Sequence, residues 1–281
     1  MSQTMSQTQA IGNRGVATRA SCRCHAARPG DRAAGQVVWV YAITCDLDPG
    51  QLLGLTGVGG EPVRTVTETG LSAVVGSVDA AAFGETSLPG LLADPASIEM
   101  VGRAHHDVVA RIASGGSVVP LRLATIYRDD LTVRALLAER YAELTFLLQS
   151  FEGTEEWGVK VHMESWPDSP GDDPYAVSSS SSGPDGLPVR QPRWQQAEAC
   201  ADKIDRALNG IAIATRRHPA PYPQFDDIEG WLVLNSVYLL DTERAAEFGG
   251  LVQRLTEEHA GLRADVTGPW PPYSFVDRHE V

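Results

Sequence analysis

His105, His106 and Asp107 stand in an unbroken row, and imidazoles beside a carboxylate are common equipment for proton transfer and metal binding. Their spacing argues against both. Adjacent residues of a helix project about 100° apart, so the two rings cannot converge on one ligand, and the i, i+4 pair of a helical metal site is absent. His105 falls on the apolar seam of its helix, where a buried imidazole is expected to be hydrogen-bonded as part of the core, and His106 falls on the flank. Cys22, Cys24 and His25 form a second cluster. A zinc site needs four ligands at regular spacing, and the nearest further cysteine, Cys45, lies in a strand-like run.

Glu155-Glu156 and Asp129-Asp130 are paired acids, the raw material of general acid–base work. One pair sits at a helix-to-strand turn and the other at a helix start, where carboxylates cap orphan amides and complement the helix dipole. Gly57-Val58-Gly59-Gly60 lacks the GxxxxGK[ST] pattern and opens no helix, so it is not read as a phosphate cradle. No GxSxG elbow is present, and no cysteine has a suitable partner histidine. Arg122 interrupts an apolar run and suits either an anion or an ion pair. No catalytic, cofactor-binding or metal-binding residue is assigned, no cofactor is expected, and the chain is not expected to be an enzyme.

Thr267–Val276, TGPWPPYSFV, stands apart. Pro269, Pro271 and Pro272 fix φ and bias the backbone towards polyproline II, with Gly268-Pro269 expected to end a strand. Trp270, Tyr273 and Phe275 put large apolar area on that stiff frame. Such a segment serves either as a strap whose Trp270 plugs a core, or as a preorganised ledge for a protein partner, and the two roles are compatible.

The elements that position these residues follow from periodicity. Val37–Cys45 is a β-branched and aromatic run typical of a strand covered on both faces. Residues 62–69 and 71–78 read as a hairpin about Gly70. Asp94-Pro95 opens a helix with seam Ile98, Val101, His105, Val108 and Ile112. Ser117–Tyr127 reads as one strand. A six-turn helix capped by Asp129 or Asp130 follows, with Val133, Leu137, Tyr141, Leu144, Leu148 and Phe151 along one face, ending at Gly153. Strands are expected at 156–163, 211–217, 229–241 and 262–267. Helices are expected from Trp194 to Ile211, with seam Ala197, Ala201, Ile204 and Leu208, and over 242–260, with seam Ala245, Phe248, Val252 and Leu255. The second half thus runs β-α-β-β-α-β, the split βαβ order. Glu164–Pro192, with its serine run Ser178–Ser182, cannot bury enough surface to offset its ordering entropy. The fold class is α+β in two domains: a tail over 1–36 expected to be disordered, a mixed α+β domain over 37–153, and a ferredoxin-like domain over 154–281 with a disordered loop at 164–192.

Of the 281 residues 43% are hydrophobic, enough for two real cores. The net charge of −13 is uneven. Residues 1–36 carry five Arg against one Asp (+4), residues 37–163 carry 16 acids against 8 bases (−8), and residues 164–281 carry 19 acids against 10 bases (−9). Acidic folded portions argue against nucleic acid or an anionic membrane as partner. The longest apolar run, Trp231–Leu240, has strand length and falls well short of a bilayer span. Four cysteines in unlike contexts and no secretory apolar region point to a reducing compartment.

Taken in order, VVPLRLATIY (Val118–Tyr127) after the AHHDVV helix, EEWGVKV (Glu155–Val161), VYLLD (Val237–Asp241) and TGPWPPYSFV resemble the GvpF/GvpL family of gas vesicle proteins. The resemblance spans Val37 to about Val276 and rests most on WGVKV and TGPWPPYSFV. Where the family usually reads PLRFGT, this chain has Leu123-Ala124 in place of an aromatic and a glycine, which is expected to repack that strand. The resemblance implies a two-domain fold with a ferredoxin-like C-terminal half. It also implies a minor gas vesicle component or accessory factor, cytoplasmic and vesicle-associated. Such a factor binds the hydrophobic shell protein and other accessory proteins during nucleation and assembly and limits shell-protein aggregation. An acidic chain with sheet edges and an aromatic ledge suits that task while repelling its own copies. The alternative is a small-molecule-sensing or enzymatic ferredoxin-like protein, which requires a pocket with polar groups converging near His105, Arg122 or His162.

Overall fold

Alternation along Gln36–Thr44 (β1) sends side chains to both faces of a sheet, and both faces are buried. Val38, Val40 and Ile43 enter one core, while Trp39, Tyr41 and Ala42 enter another, with the alternation shifted by a bulge between Val40 and Ala42. The computed structural model describes residues 35–163, 177–182, 188–219, 231–259 and 261–276. The Cys22–His25 cluster and the tail over 1–34 lie outside them.

A 3₁₀ turn at Pro49–Leu52 leads to the hairpin of β2 (Arg64–Glu68) and β3 (Leu71–Asp79), whose turn places Gly70 at φ 87°. Two short helices follow, α1 (Ala80–Phe83) and α2 (Leu88–Ala93). Helix α3 (Pro95–Ala113) starts where expected, with Asp94 accepting the Ser97 N–H and Pro95 in the first turn. Val101, His105, Val108, Val109 and Ile112 are buried on its inner face, whereas Ile98, expected on that seam, is 40% exposed.

Ser117–Tyr127 is not one strand. Only β4 (Val119–Pro120) and β5 (Ile126–Tyr127) pair with β1, and the residues between them turn at Leu123-Ala124 with Ala124 at φ 68°. Leu121 N–H still donates to Tyr41 O and Val40 N–H donates to Thr125 O, each at 2.9 Å, so the turn at 123–124 is an excursion between two points of pairing. The expected six-turn helix is also divided, into α4 (Asp130–Glu139) and α5 (Tyr141–Ser150). Arg140 leaves helical geometry at φ −99°, ψ 18° and grips Glu143 through two hydrogen bonds. That break turns Tyr141, expected on the apolar face, out to 44% exposure.

β6 (Thr154–Met163) opens the second half after Gly153 at φ 67°. Within 164–192, expected to be wholly irregular, β7 (Val177–Ser182) and β8 (Pro188–Pro192) form an antiparallel pair. Pairing of this kind is a backbone property that needs no apolar side chains. α6 (Arg193–Asn209), β9 (Ala214–Arg217), β10 (Trp231–Asp241), α7 (Ala245–Glu257) and β11 (Leu262–Trp270) complete the order, and a 3₁₀ turn at Tyr273–Phe275 ends it. The last strand does not stop at Gly268-Pro269. It passes a bulge between Thr267 and Trp270 and pairs again at Trp270 with Glu156.

The first sheet has order β2-β3-β1-β4, with β5 also on β1, and the second has order β11-β6-β10-β9. Every ladder in both is antiparallel. Helix α3 covers one face of the first sheet, while α4 and α5 cover the other. Helices α6 and α7 pack together on one face of the second sheet through Ala197, Ala201, Ile204, Leu208, Phe248 and Val252. Leu239 and Phe275 join the core beneath α4 and α5, so the described residues form a single compact unit. The protein is an α+β fold on two antiparallel sheets.

Candidate functional site

The segment Thr267–Phe275 is held by contacts that interlock the two most specific sequence motifs. A Cβ on Gly158 would lie 2.6 Å from Thr267 Oγ1, and a Cβ on Gly268 would lie 2.9 Å from Glu156 O and 3.1 Å from the Trp157 ring. Gly268 also adopts φ 131°, a conformation that L side chains rarely adopt. Each motif thus supplies a glycine that makes room for a bulkier residue of the other.

After pairing again at Trp270 the chain leaves the second sheet along α3. Trp270 meets His106 edge-on with ring centroids 4.9 Å apart, and Tyr273 lies 6.2 Å from His106 and 6.5 Å from His105. Pro271 and Pro272 are buried. Ser274 N–H and Oγ–H donate to the two carboxylate oxygens of Glu156, each at 2.7 Å. Glu156 is only 6% exposed; burial raises its pKa, while the Ser274 bonds and the nearby charges of His218 and Arg216 pull the other way. Phe275 is 7% exposed within the core under α4 and α5, with the Arg216 guanidinium 6.0 Å from its ring centroid. Burial also raises the Tyr273 pKa.

Between its strap and ledge roles, the segment divides the work by residue. Phe275, not Trp270, is the core plug. Trp270 remains 38% exposed on a frame fixed by buried prolines and the Glu156–Ser274 bonds, and Val266 on β11 is exposed to the same extent. A half-exposed indole on a rigid base loses little conformational freedom when a partner covers it.

The candidate chemical residues are accounted for individually. His105 is 3% exposed; its Nδ1 accepts the Trp39 Nε1–H at 3.0 Å, which places the ring proton on Nε2 facing Leu121 O, also at 3.0 Å. Burial, the largest influence, lowers its pKa to about 4. The glycine-rich loop serves the protein's own groups: Gly59 N–H donates to Glu61 Oε2, Val58 N–H donates to Tyr41 Oη, and Tyr41 Oη–H donates to Glu61 Oε1 at 2.6 Å. Asp129 caps α4 through the Thr132 N–H, and Asp130 pairs with Arg64 at 2.9 Å. Glu155 accepts the Trp157 Nε1–H at 2.7 Å. Arg122 is exposed and engaged within the protein. His162 Nε2 lies 3.4 Å from Asp265.

A cleft of about 600 Å³ opens among the ends of β1, α3 and α5, lined by Cys45, Thr145, Gln149 and Thr242 among others. None of His105, Arg122 or His162 lines it. Among the described residues no group of three or more His, Cys, Asp or Glu is placed to hold a metal ion, and no helix is long and apolar enough to cross a membrane. Glu156 is visible in the sequence as one of a pair of acids with Glu155, but its partner Ser274 is not, because it lies 118 residues away.

The family model for the gas vesicle synthesis proteins GvpL/GvpF matches residues 37–277. The chain is 36% identical over 261 residues to gas vesicle protein L of Streptomyces sp. strain CB03234, covering 86% of this chain and 96% of that protein. It is 28% identical over 232 residues to gas vesicle protein F1 of Halobacterium salinarum, covering 81% and 87%. Among solved structures, GvpF from Anabaena sp. PCC7120 superposes with a TM-score of 0.62 at 17% identity, covering 86% of this chain and 96% of that one. GvpF from Microcystis aeruginosa gives a TM-score of 0.61 at 17% identity, covering 86% and 99%. These two structures share its fold.

Proposed function

Because the chain belongs to the gas vesicle synthesis protein GvpL/GvpF family, we propose that it is a non-enzymatic accessory factor of gas vesicle nucleation and assembly. It works in the cytoplasm at the growing vesicle, binds the hydrophobic shell protein and other accessory proteins, and limits shell-protein aggregation. The observation that carries this reading is Trp270: a large aromatic left 38% exposed on a segment otherwise locked to α3 and β6. A subunit with large apolar faces needs cover before assembly, and a rigid aromatic surface on an acidic body supplies it while keeping the complex dispersed.

In this reading residues 154–281 form a ferredoxin-like half, supported by the order β11-β6-β10-β9 with α6 and α7 on one face, and residues 37–153 form the N-terminal α+β half. Identity to protein L of the Streptomyces strain is 36%, against 28% to protein F of the same strain, which favours an L-type role. A sensor or enzyme has less support, because His105 spends both ring nitrogens on structural bonds.

Binding is tested by mixing purified chain with purified shell subunit and measuring co-sedimentation. The shell subunit is expected to stay in the soluble fraction with this chain. Sedimentation of the shell subunit alone, at stoichiometric mixing, overturns the proposal.

A further inference from the structure

β11 is the terminal strand of the second sheet, and its outer edge has no strand partner among the described residues. The other edges are shorter or protected. β2 has five residues and is covered by α4, with Arg134 donating to Thr67 O at 2.8 Å and Arg64 paired to Asp130. β9 has four residues, flanked by Arg217 paired to Asp202 and Asp205. β11 offers six regular residues, Leu262–Thr267, before its bulge and Pro269, and an open edge of that kind is a template for another strand.

The charge pattern of the edge selects the occupant. Arg263 and Asp265 are two apart, so they share one face; they pair with each other, and their side chains are 37% and 43% exposed. Leu262, Ala264 and Val266 share the other face. We propose that β11 pairs antiparallel with β11 of a second copy of this chain, about a two-fold axis through Ala264. In that register Arg263 of each copy lies directly opposite Asp265 of the other, Leu262 lies opposite Val266, and Ala264 faces Ala264. An isologous contact requires a self-complementary strand, and Leu262–Val266 is one in both charge and apolarity. Thr267 falls opposite Gly261, and the Thr267–Trp270 bulge ends the pairing, so the contact is short. The net charge of −13 opposes the approach of two copies, but at physiological salt the Debye length of about 8 Å confines that repulsion. The outcome is a reversible dimer with one continuous eight-stranded sheet, four strands from each copy.

Sedimentation velocity of the full chain from about 1 to 200 µM, a range that brackets common dissociation constants, is the measurement. Arg263→Asp makes the facing positions all acidic and Asp265→Arg makes them all basic. Each variant alone is expected to weaken the dimer about tenfold, because two symmetry-related pairs are lost and like charges are set opposite one another. An equimolar mixture of the two is expected to restore association as a heterodimer, which a misfolded variant cannot do. Wild-type chain that stays monomeric throughout, its edge left free or kept for another protein, overturns the proposal. So does a dimer of equal strength in both variants, or a mixture that fails to associate.

Discussion

Ser274 donates two hydrogen bonds to Glu156 across a sequence separation of 118 residues, and this pairing ties the C-terminal segment to the first strand of the second sheet. Glu156 is buried, so its carboxylate depends on those donors to stay charged away from water. Ser274→Ala is expected to cost about 1–3 kcal/mol, the range for orphaning a buried polar group, and to raise the Glu156 pKa further. Glu156→Ala is expected to cost more than Ser274→Ala, because it also removes packed volume and leaves the Ser274 N–H without its acceptor. Urea denaturation of the two variants beside the wild type checks the order.

His105 supplies a pH dependence whose sign follows from its environment. Burial holds its pKa at about 4 against 6.5 for an unperturbed imidazole, so below pH 6.5 the unfolded chain takes up a proton that the folded one refuses. Stability from this residue is therefore present above pH 6.5 and lost as pH falls towards 4, by up to about 3 kcal/mol. Replacing His105 by Gln is expected to lower stability at pH 7, by breaking the Trp39 bond, and to flatten the decline between pH 6.5 and 4. Equal slopes for the two proteins would show that His105 is not the titrating group.

Ala124 sits at φ 68° in the turn between β4 and β5, at the position where the family pattern carries glycine. An L residue is strained there, and glycine is not. Ala124→Gly is expected to raise stability by about 1 kcal/mol, against the usual direction for a glycine introduced into a protein. A thermal melt decides it, and a lowered midpoint would mean that the turn differs from the one described.

Gly76 lies under the Glu61 side chain, where an added Cβ would come within 1.9 Å of Oε1. Gly76→Ala is expected to displace Glu61 from Tyr41 and from the Gly59 N–H, at a cost of about 1–3 kcal/mol. The freed Tyr41 hydroxyl gives a direct readout, since burial and the Glu61 bond both raise its pKa in the intact protein. Spectrophotometric titration of tyrosine in the variant is expected to show one phenol ionising at lower pH than in the wild type.

The elements were legible wherever one face was buried. The two-sided burial of β1, the Asp94-Pro95 start of α3 and the seams of α6 and α7 follow from periodicity and capping alone. The split of α4 from α5 was not, because Arg140 is a good helix former and carries no breaking signal. The turn at Ala124 was hidden for a related reason: the residue that normally announces positive φ is absent. At the candidate site, the rigidity of the 267–276 segment could be read from its prolines. Which aromatic is buried could not, since Phe275 finds its core and Trp270 its histidine through contacts far apart in sequence.

The central claim is that Trp270 serves a partner more than the fold. Light scattering of the shell subunit, followed during its aggregation with stoichiometric wild-type chain or with Trp270→Ala, tests it most directly. The wild type is expected to suppress the scattering. The variant is expected to lose most of that suppression while its melting midpoint stays close to wild type, because Trp270 is 38% exposed and Phe275 holds the core. Scattering suppressed equally by both proteins, or by neither, would contradict the account.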